Sequence, residues 1–162
     1  MPRNKPRLQL ALYSRPKHPR TYHYALFIGA KSAQGPVTKH HVKNTLQIDV
    51  IGEATSPWRY EQIAVPHVEF EQRLLVCVVI AKVLKPGDVA KRALESVPVH
   101  QRDEADRNDS ESFTCRTWVR DALQALREQG VVSAELGGWD EIQQMALEYV
   151  DRKREQKRRD SG

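Results

Sequence analysis

Segments with strand patterns all precede those with helical patterns, and this order constrains the fold more than any other feature of the chain. Strand-like runs occupy residues 8–13, 22–28, 42–50, 58–65 and 74–83. The last run is apolar on both faces, which is typical of a central strand. Helical patterns begin only after residue 86. Strands followed by helices predict an α+β fold, in which two packed C-terminal helices cover a mostly antiparallel sheet.

Three segments after the strands carry helix signals. Asp88 can cap a short helix. The strongest helix is expected from about residue 114 to 129, where Gly130 stops it, and Asp140 can cap a third helix that continues into the basic C-terminus. The polar stretch 102–111 has no hydrophobic periodicity, so we expect an exposed loop. The apolar stripe of the strongest helix comprises Trp118, Val119, Ala122, Leu123 and Leu126.

The charges lie in three blocks. Residues 1–48 contain nine Lys and Arg and no acidic residue, the middle of the chain is acidic, and residues 152–159 carry six bases against one acid. Basic ends can attract phosphates or anionic lipid, or they can be ordinary solvated termini. We divide the chain into a basic, loosely ordered N-terminus (1–20), a single α+β catalytic domain (21–150) and a basic C-terminal tail (151–162).

Length and composition exclude several classes of protein. The chain has 162 residues, enough for one domain. Its longest apolar run is 74–81, whereas a membrane-spanning helix needs about 20 residues. No signal-peptide core follows Met1, so we expect a cytoplasmic protein without a membrane partner. The two cysteines are too few for a disulfide framework or a zinc site, and we expect free thiols with no metal or cofactor.

A thiol at a helix start and histidines on strands form a candidate catalytic constellation. Cys115 begins the strongest helix, whose dipole favours a thiolate. His23 can take the thiol proton, and either His40 or His41 can fix the tautomer of His23. The alternative is that Cys115 belongs to the apolar stripe as a small buried hydrophobe. Cys77, inside an apolar run, is expected to be a core residue.

Three sequence segments resemble a known enzyme group. They are YHYALFIG at residues 22–29, HVKN at 41–44 and FTCRTWV at 113–119. In motif and chain order they resemble the circularly permuted NlpC-type papain-like group, whose best-known members are lecithin:retinol acyltransferase-like enzymes. The resemblance spans about residues 21–150 and is strongest to small fungal proteins. It implies a permuted papain-like fold with Cys115 as nucleophile, His23 as base and His41 as orienting residue.

The chain departs from these acyltransferases around the cysteine. They usually have Asn before it and Glu-His after it, where this chain has Thr114 and Arg116-Thr117. Many also carry a membrane helix, for which this sequence has no segment. These departures argue against a long-chain lipid substrate. A second resemblance is to fungal arginine-containing cyclodipeptide synthases, which use aminoacyl-tRNA, and the basic ends of this chain suit a tRNA backbone.

The sequence therefore predicts cysteine-dependent acyl transfer through an acyl-enzyme on Cys115, with aminoacyl-tRNA-dependent cyclodipeptide synthesis as the leading reaction. One alternative is a hydrolase or acyltransferase acting on a small ester, thioester or amide. The other is a non-catalytic module that binds RNA or protein. Besides the Cys115 backbone N–H, candidate groups for binding the oxyanion or substrate are Gln101, Tyr22, Asn44 and Trp118.

Overall fold

The computed structural model describes residues 5–16, 21–30, 35–44, 47–48, 50–55, 57–100 and 114–161. In this part of the chain the elements are β1 (Arg7–Ser14), β2 (Tyr22–Gly29), β3 (Val37–Asn44), β4 (Gln47–Ile48), β5 (Ala54–Thr55), β6 (Trp58–Val65), a 3₁₀ turn (Val68–Phe70), β7 (Leu74–Lys82), α1 (Gly87–Glu95), α2 (Cys115–Glu128) and α3 (Trp139–Ser161). Five strands form one sheet in the order β6-β3-β2-β1-β7, and neighbouring strands are antiparallel. The α+β prediction, with an antiparallel sheet and two C-terminal helices, is confirmed.

Side chains alternate between two faces of this sheet. One face, here called the helix face, carries Leu10, Leu26 and Val42 and packs against Trp118 of α2 in the larger apolar core. The other, here called the rear face, carries a smaller apolar cluster. That cluster comprises Ala11, Tyr13, Ala25, Phe27, Val37, Val65 and Val68. The two faces determine which functional side chains can meet.

Within the segment 1–20, which the sequence predicts to be loosely ordered, strand β1 shows residues 7–14 to be part of the sheet. It lies between β2 and β7, and residues 8–12 are fully buried. The run 8–13 was expected only as a short strand beside flexible segments. Its residues are ordered because they are hydrogen-bonded to a strand on each side and pack into apolar clusters on both faces.

Two other strands differ from their predicted positions. β7 lies at the edge of the sheet and is not central, and it is apolar on both faces because Val76 packs into the helix-face core while Leu74 and Cys77 pack against the rear cluster. The strand expected at 42–50 is instead β3, which ends at Asn44, where its partner β6 begins. Val50 is exposed.

The helices begin close to their predicted positions. α1 is capped by Pro86, so Asp88 lies in the first turn and forms an ion pair with Arg92 at 2.9 Å instead of capping the helix. α3 begins at Trp139, which places Asp140 in its first turn rather than at the cap. Asp140 therefore stabilises α3 only through its negative charge, which is favourable near a helix N-terminus.

Helix α3 continues to Ser161, so the third helix runs on into the basic C-terminal residues as expected. Two of them contact the sheet. Lys153 Nζ lies 3.4 Å from the Leu75 carbonyl oxygen, and the Arg154 guanidinium lies 5.6 Å from the centre of the Tyr22 ring. Among the described residues, no helix is both long enough and apolar enough to cross a membrane. The loop expected at 102–111 lies outside the described residues.

Candidate active site

The start of α2 is fixed by a reciprocal cap. The Thr114 hydroxyl accepts a hydrogen bond from the Thr117 backbone N–H at 3.4 Å, and the Thr117 hydroxyl accepts one from the Thr114 N–H at 2.8 Å. Such a capping box satisfies N–H groups that have no partner within the helix. It places Cys115 as the first residue of α2, buried against the sheet.

The Cys115 thiol lies against the main chain of β2. Its Sγ accepts a hydrogen bond from the Tyr24 backbone N–H at 3.4 Å and lies 4.0 Å from the Tyr22 carbonyl oxygen. These two groups flank His23 on either side. The thiol therefore lies beside the backbone of the histidine that the sequence nominates as its base.

An opening in the sheet makes room for the sulfur. β1 pairs with β2 along its whole length, whereas β3 pairs with β2 only from Leu26 to Gly29. The Tyr24 N–H is therefore bonded to sulfur where a neighbouring strand would otherwise supply a carbonyl. Because backbone N–H groups point along the plane of a sheet, the sulfur lies close to that plane.

His23 and His41 form a hydrogen-bonded chain with a carboxylate. His23 Nε2 lies 2.7 Å from His41 Nδ1, and His41 Nε2 lies 3.1 Å from Glu61 Oε1. The other Glu61 oxygen is 2.6 Å from Lys43 Nζ. His41 and Glu61 are directly opposed on β3 and β6, which places this part of the chain on the rear face.

The direction of these hydrogen bonds follows from the charge of Glu61. Burial favours the neutral acid, but hydrogen bonds from Lys43 and His41 outweigh it and lower the Glu61 pKa. A carboxylate only accepts hydrogen bonds, so a neutral His41 donates from Nε2 and accepts at Nδ1. His23 must then donate from Nε2. Its Nδ1, the ring nitrogen nearer the main chain, keeps a lone pair and can act as a base.

Both imidazoles are held neutral. Burial lowers the pKa of His23 to about 3, and repulsion from His41, when that ring is protonated, and from Lys39 and Arg15 adds to this effect. Burial also lowers the pKa of His41, although its hydrogen bond to Glu61 opposes the change. At neutral pH each ring therefore carries one proton and can both donate and accept.

Electrostatics correct the expectation of a resting thiolate on Cys115. Burial raises the pKa of the thiol, outweighing the backbone N–H of Tyr24 and those at the helix start, which lower it. The helix dipole is weaker than the desolvation because the side chain is 6% exposed. The resting pair is therefore a thiol and a neutral imidazole.

Strand alternation places His41, and not His40, beside His23. His40 lies on the helix face, hydrogen-bonded at 2.7 Å to the hydroxyl of Tyr60, whose ring packs against Trp118. His41 lies on the rear face and is the residue bonded to His23. Within the described residues, the Cys115 thiol forms hydrogen bonds only with main-chain groups and with neither imidazole.

A cavity of about 890 Å³ adjoins His23. Asn44, which the sequence suggests for oxyanion or substrate binding, lines this cavity. Trp118 does not, because it is fully buried in the helix-face core. Tyr22 lies beside the sulfur through its carbonyl, and Gln101 lies outside the described residues. No group of three or more metal-binding side chains occurs in the described part of the chain.

Sequence reasoning missed two groups at this site, Glu61 and the cations of the cavity. Glu61 stands in a strand that alternates only weakly, and its role depends on the β3–β6 register, which no local pattern encodes. Arg15, Lys39 and Arg73 line the cavity but are far apart in sequence. The block of bases without acids over residues 1–48 is a signal for Arg15 and Lys39, whereas no sequence pattern singles out Arg73.

Comparison with known proteins identifies a family but no characterised relative. No curated protein and no solved structure matches the chain. A family model described as a family of unknown function, DUF6914, matches residues 5–162, which include every described element. The chain belongs to the DUF6914 family.

Proposed function

We propose that the protein is a cysteine-dependent acyl transferase of circularly permuted papain-like architecture, with Cys115 as nucleophile, His23 as base and His41 as orienting residue. One observation carries the proposal. The Cys115 sulfur lies against the backbone on both sides of His23, while His23 is linked through His41 to Glu61. Covalent catalysis by thiols uses that order of nucleophile, base and orienting group, although in this structure the thiol is bonded to the main chain of β2 and not to the His23 ring.

The first half of the reaction forms a thioester. Cys115 Sγ attacks the carbonyl carbon of the donor as its proton passes to His23 Nδ1. The bond between that carbon and the leaving group breaks, and the leaving group takes the proton from His23. The Cys115 backbone N–H at the helix start is the first candidate donor to the oxyanion. Tyr22 is the second, through its hydroxyl, because the carbonyl that it places beside the sulfur can only accept a hydrogen bond.

The second half releases the acyl group. An amine or water attacks the thioester carbonyl and gives a proton to His23 Nδ1. The carbon–sulfur bond then breaks, and the thiolate recovers the proton. No metal or cofactor takes part in this scheme, and every proton returns to its starting place.

The favoured donor is an aminoacyl-tRNA. Six basic residues stand in the exposed last turns of α3, and one of them, Arg154, lies over the ring of Tyr22, whose carbonyl is next to the Cys115 sulfur. Phosphates bound along this helix would bring the 3′ end of an RNA close to the thiol. Such binding weakens steeply with salt because counterions are released.

Intact-mass spectrometry tests the reaction. The protein is incubated with aminoacyl-tRNA or with activated thioesters, and we expect one acyl adduct that is absent in Cys115→Ser. Cys77→Ser is the matched control, because Cys77 packs against the rear cluster and should keep the adduct. An adduct that survives Cys115→Ser, or no adduct from any donor, would overturn the proposal.

Deletion of residues 152–162 separates the possible donors. It removes six bases and two acids. For an RNA donor, the slope of log affinity against log salt should fall by roughly one unit per lost phosphate contact, while thioester labelling of Cys115 persists. If the deletion changes neither the salt dependence of RNA binding nor the labelling of Cys115, the donor is a small ester, thioester or amide. If RNA binding occurs without any adduct, the protein is a binding module.

A further inference from the structure

The cavity beside His23 is lined by more positive than negative side chains. It is formed by the end of β1, the start of β2, part of β3 and the turn before β7, and its volume is about 890 Å³. Its charged lining residues are Arg15, Lys39, Glu71 and Arg73. Three cations therefore face one carboxylate.

The carboxylate already has partners. Glu71 Oε1 accepts a hydrogen bond from the Tyr13 hydroxyl at 2.6 Å and lies 3.5 Å from Lys39 Nζ. Lys39 also lies 4.1 Å from the centre of the Tyr13 ring. The negative charge of Glu71 is therefore neutralised by the positive charge of Lys39. Among the described residues, Arg15 and Arg73 have no ion-pair partner, which leaves an excess of two positive charges at the cavity.

Arg73 is held in an unfavourable backbone conformation. Its φ is 66°, which makes it the only residue other than glycine with positive φ among those described. This conformation costs about 1 kcal/mol or more for a residue with a Cβ. The Arg73 carbonyl accepts a hydrogen bond from the Ser14 N–H at 2.8 Å, so the turn is fixed beside the end of β1. Glycine would suit the turn better, but only a long side chain brings a cation to the cavity.

Arg15 connects this cavity to the proposed catalytic pair. Burial dominates the pKa shifts of both His23 and Cys115, and the charge of Arg15 acts on both as well. It adds to the fall of the His23 pKa and opposes the rise of the Cys115 pKa. Arg15 lines the same cavity as His23, and its own hydrogen bond is to a neutral partner, the Thr21 hydroxyl.

We propose that this cavity binds the acyl acceptor, and that Arg15 and Arg73 recognise an anionic group on it, either a carboxylate or a phosphate. The role as acceptor site rests on the proposed function, whereas anion binding itself does not. An acceptor held there presents its nucleophile to His23, which lines the same cavity.

The test is an NMR titration of the ¹⁵N-labelled full-length chain with two probes, inorganic phosphate and N-acetylglycine. We expect saturable shifts at the backbone amides of Arg15 and Arg73 and at the His23 ring. The probe that binds more tightly identifies the group as phosphate or carboxylate. An absence of saturable shifts with either probe, or shifts confined to α3, would overturn the proposal.

Arg73→Gly is the decisive variant, because glycine removes the cation and relieves the strained φ. We expect its melting temperature to be equal or higher, while the affinity for the better probe falls roughly fivefold or more. Arg92→Gln on α1, which lines no wall of this cavity, should bind as the wild type does. Unchanged affinity in Arg73→Gly would refute the assignment.

Failure of the anion site and failure of the proposed function give different results. The titration is repeated in Cys115→Ser, where anion binding should persist. An acyl adduct on Cys115 together with no anion binding would reject the acceptor site and leave acyl transfer in place. Anion binding without any acyl adduct would reject acyl transfer and leave the cavity as a binding site for small anions.

Discussion

Acidification should destabilise this protein through its buried histidines. Burial, with smaller effects of nearby charges, lowers the pKa of His23 to about 3 and that of His40 to about 4. In the unfolded chain both imidazoles return to about 6.5. The unfolded state therefore binds more protons below pH 6.5. Stability is complete above that value and is lost as the pH falls towards the folded pKa values.

The size of this effect follows from proton linkage. Near pH 5 each of the two rings is almost fully protonated when unfolded and almost unprotonated when folded. The loss between pH 7 and 5 is then at most about 2 kcal/mol per ring, a large part of a typical stability of about 5 to 15 kcal/mol. His41 adds to the loss because its pKa is lowered as well.

Urea unfolding at half-unit steps from pH 7.5 to 4.5 measures the effect. The slope of unfolding free energy against pH should approach about 2.7 kcal/mol per unit near pH 5, since about two extra protons are taken up. His40→Gln should reduce that slope by about half. His67→Gln, which removes an exposed imidazole, is the matched control and should follow the wild-type curve. A flat profile from pH 7 to 5, or an unchanged slope in His40→Gln, would refute the burial of neutral imidazoles.

Four further experiments address the site and its supports. Glu61→Gln should slow acyl-adduct formation roughly tenfold, since the charge that orients His41 is lost, whereas Glu69→Gln, on an exposed turn, should not. Thr114→Ala should cost about 1 kcal/mol and roughly 3 °C in Tm through loss of the cap, and Thr114→Ser should restore both. Without substrate at pH 7, iodoacetamide should label Cys115 more slowly than in urea, and equal rates would contradict its burial. Deleting residues 152–162 should lower Tm by a few degrees through loss of two contacts with the sheet, and an unchanged Tm would show those contacts to be dispensable.

Local patterns predicted those parts of the fold that depend on neighbouring residues. The start and stop of α2 followed from Thr114, the apolar stripe and Gly130, whose φ of 72° requires the freedom of glycine. The order of strands and helices gave the α+β class. These features depend on residues close together in sequence, where the spacing of apolar residues is enough to distinguish a helix from a strand.

Strand order and burial of the N-terminus depend on distant partners and were not predictable in the same way. The runs of β1 and β7 are similar in apolar character, yet the shorter run, close to the basic N-terminal residues, lies inside the sheet and the longer run lies at its edge. Which strand is covered on both sides depends on pairing between segments more than 60 residues apart. No local periodicity carries that information.

In the candidate site, too, some residues followed from local sequence patterns and others depended on pairing between distant strands. His23 and Cys115 were identified from their local positions on a strand and at a helix start. The pairing of His41, and not His40, with His23 needed the β2–β3 register, and the presence of Glu61 needed the β3–β6 register, because shifting a strand by one residue exchanges its faces. Burial of the thiol was suggested by its place on the apolar stripe. That the burial outweighs the helix dipole could be judged only with the sheet in place.

The proposed anion site and catalytic pair are linked by the charge of Arg15. With the cavity free, that charge favours the thiolate of Cys115 and disfavours protonation of His23. An anionic acceptor would neutralise part of it, raising the pKa of His23 and strengthening it as a base. Both half-reactions use His23 as the base, but only the first also needs an activated thiol. Occupation of the cavity would therefore strengthen His23 at the stage when the acceptor is present and the thiol is already acylated.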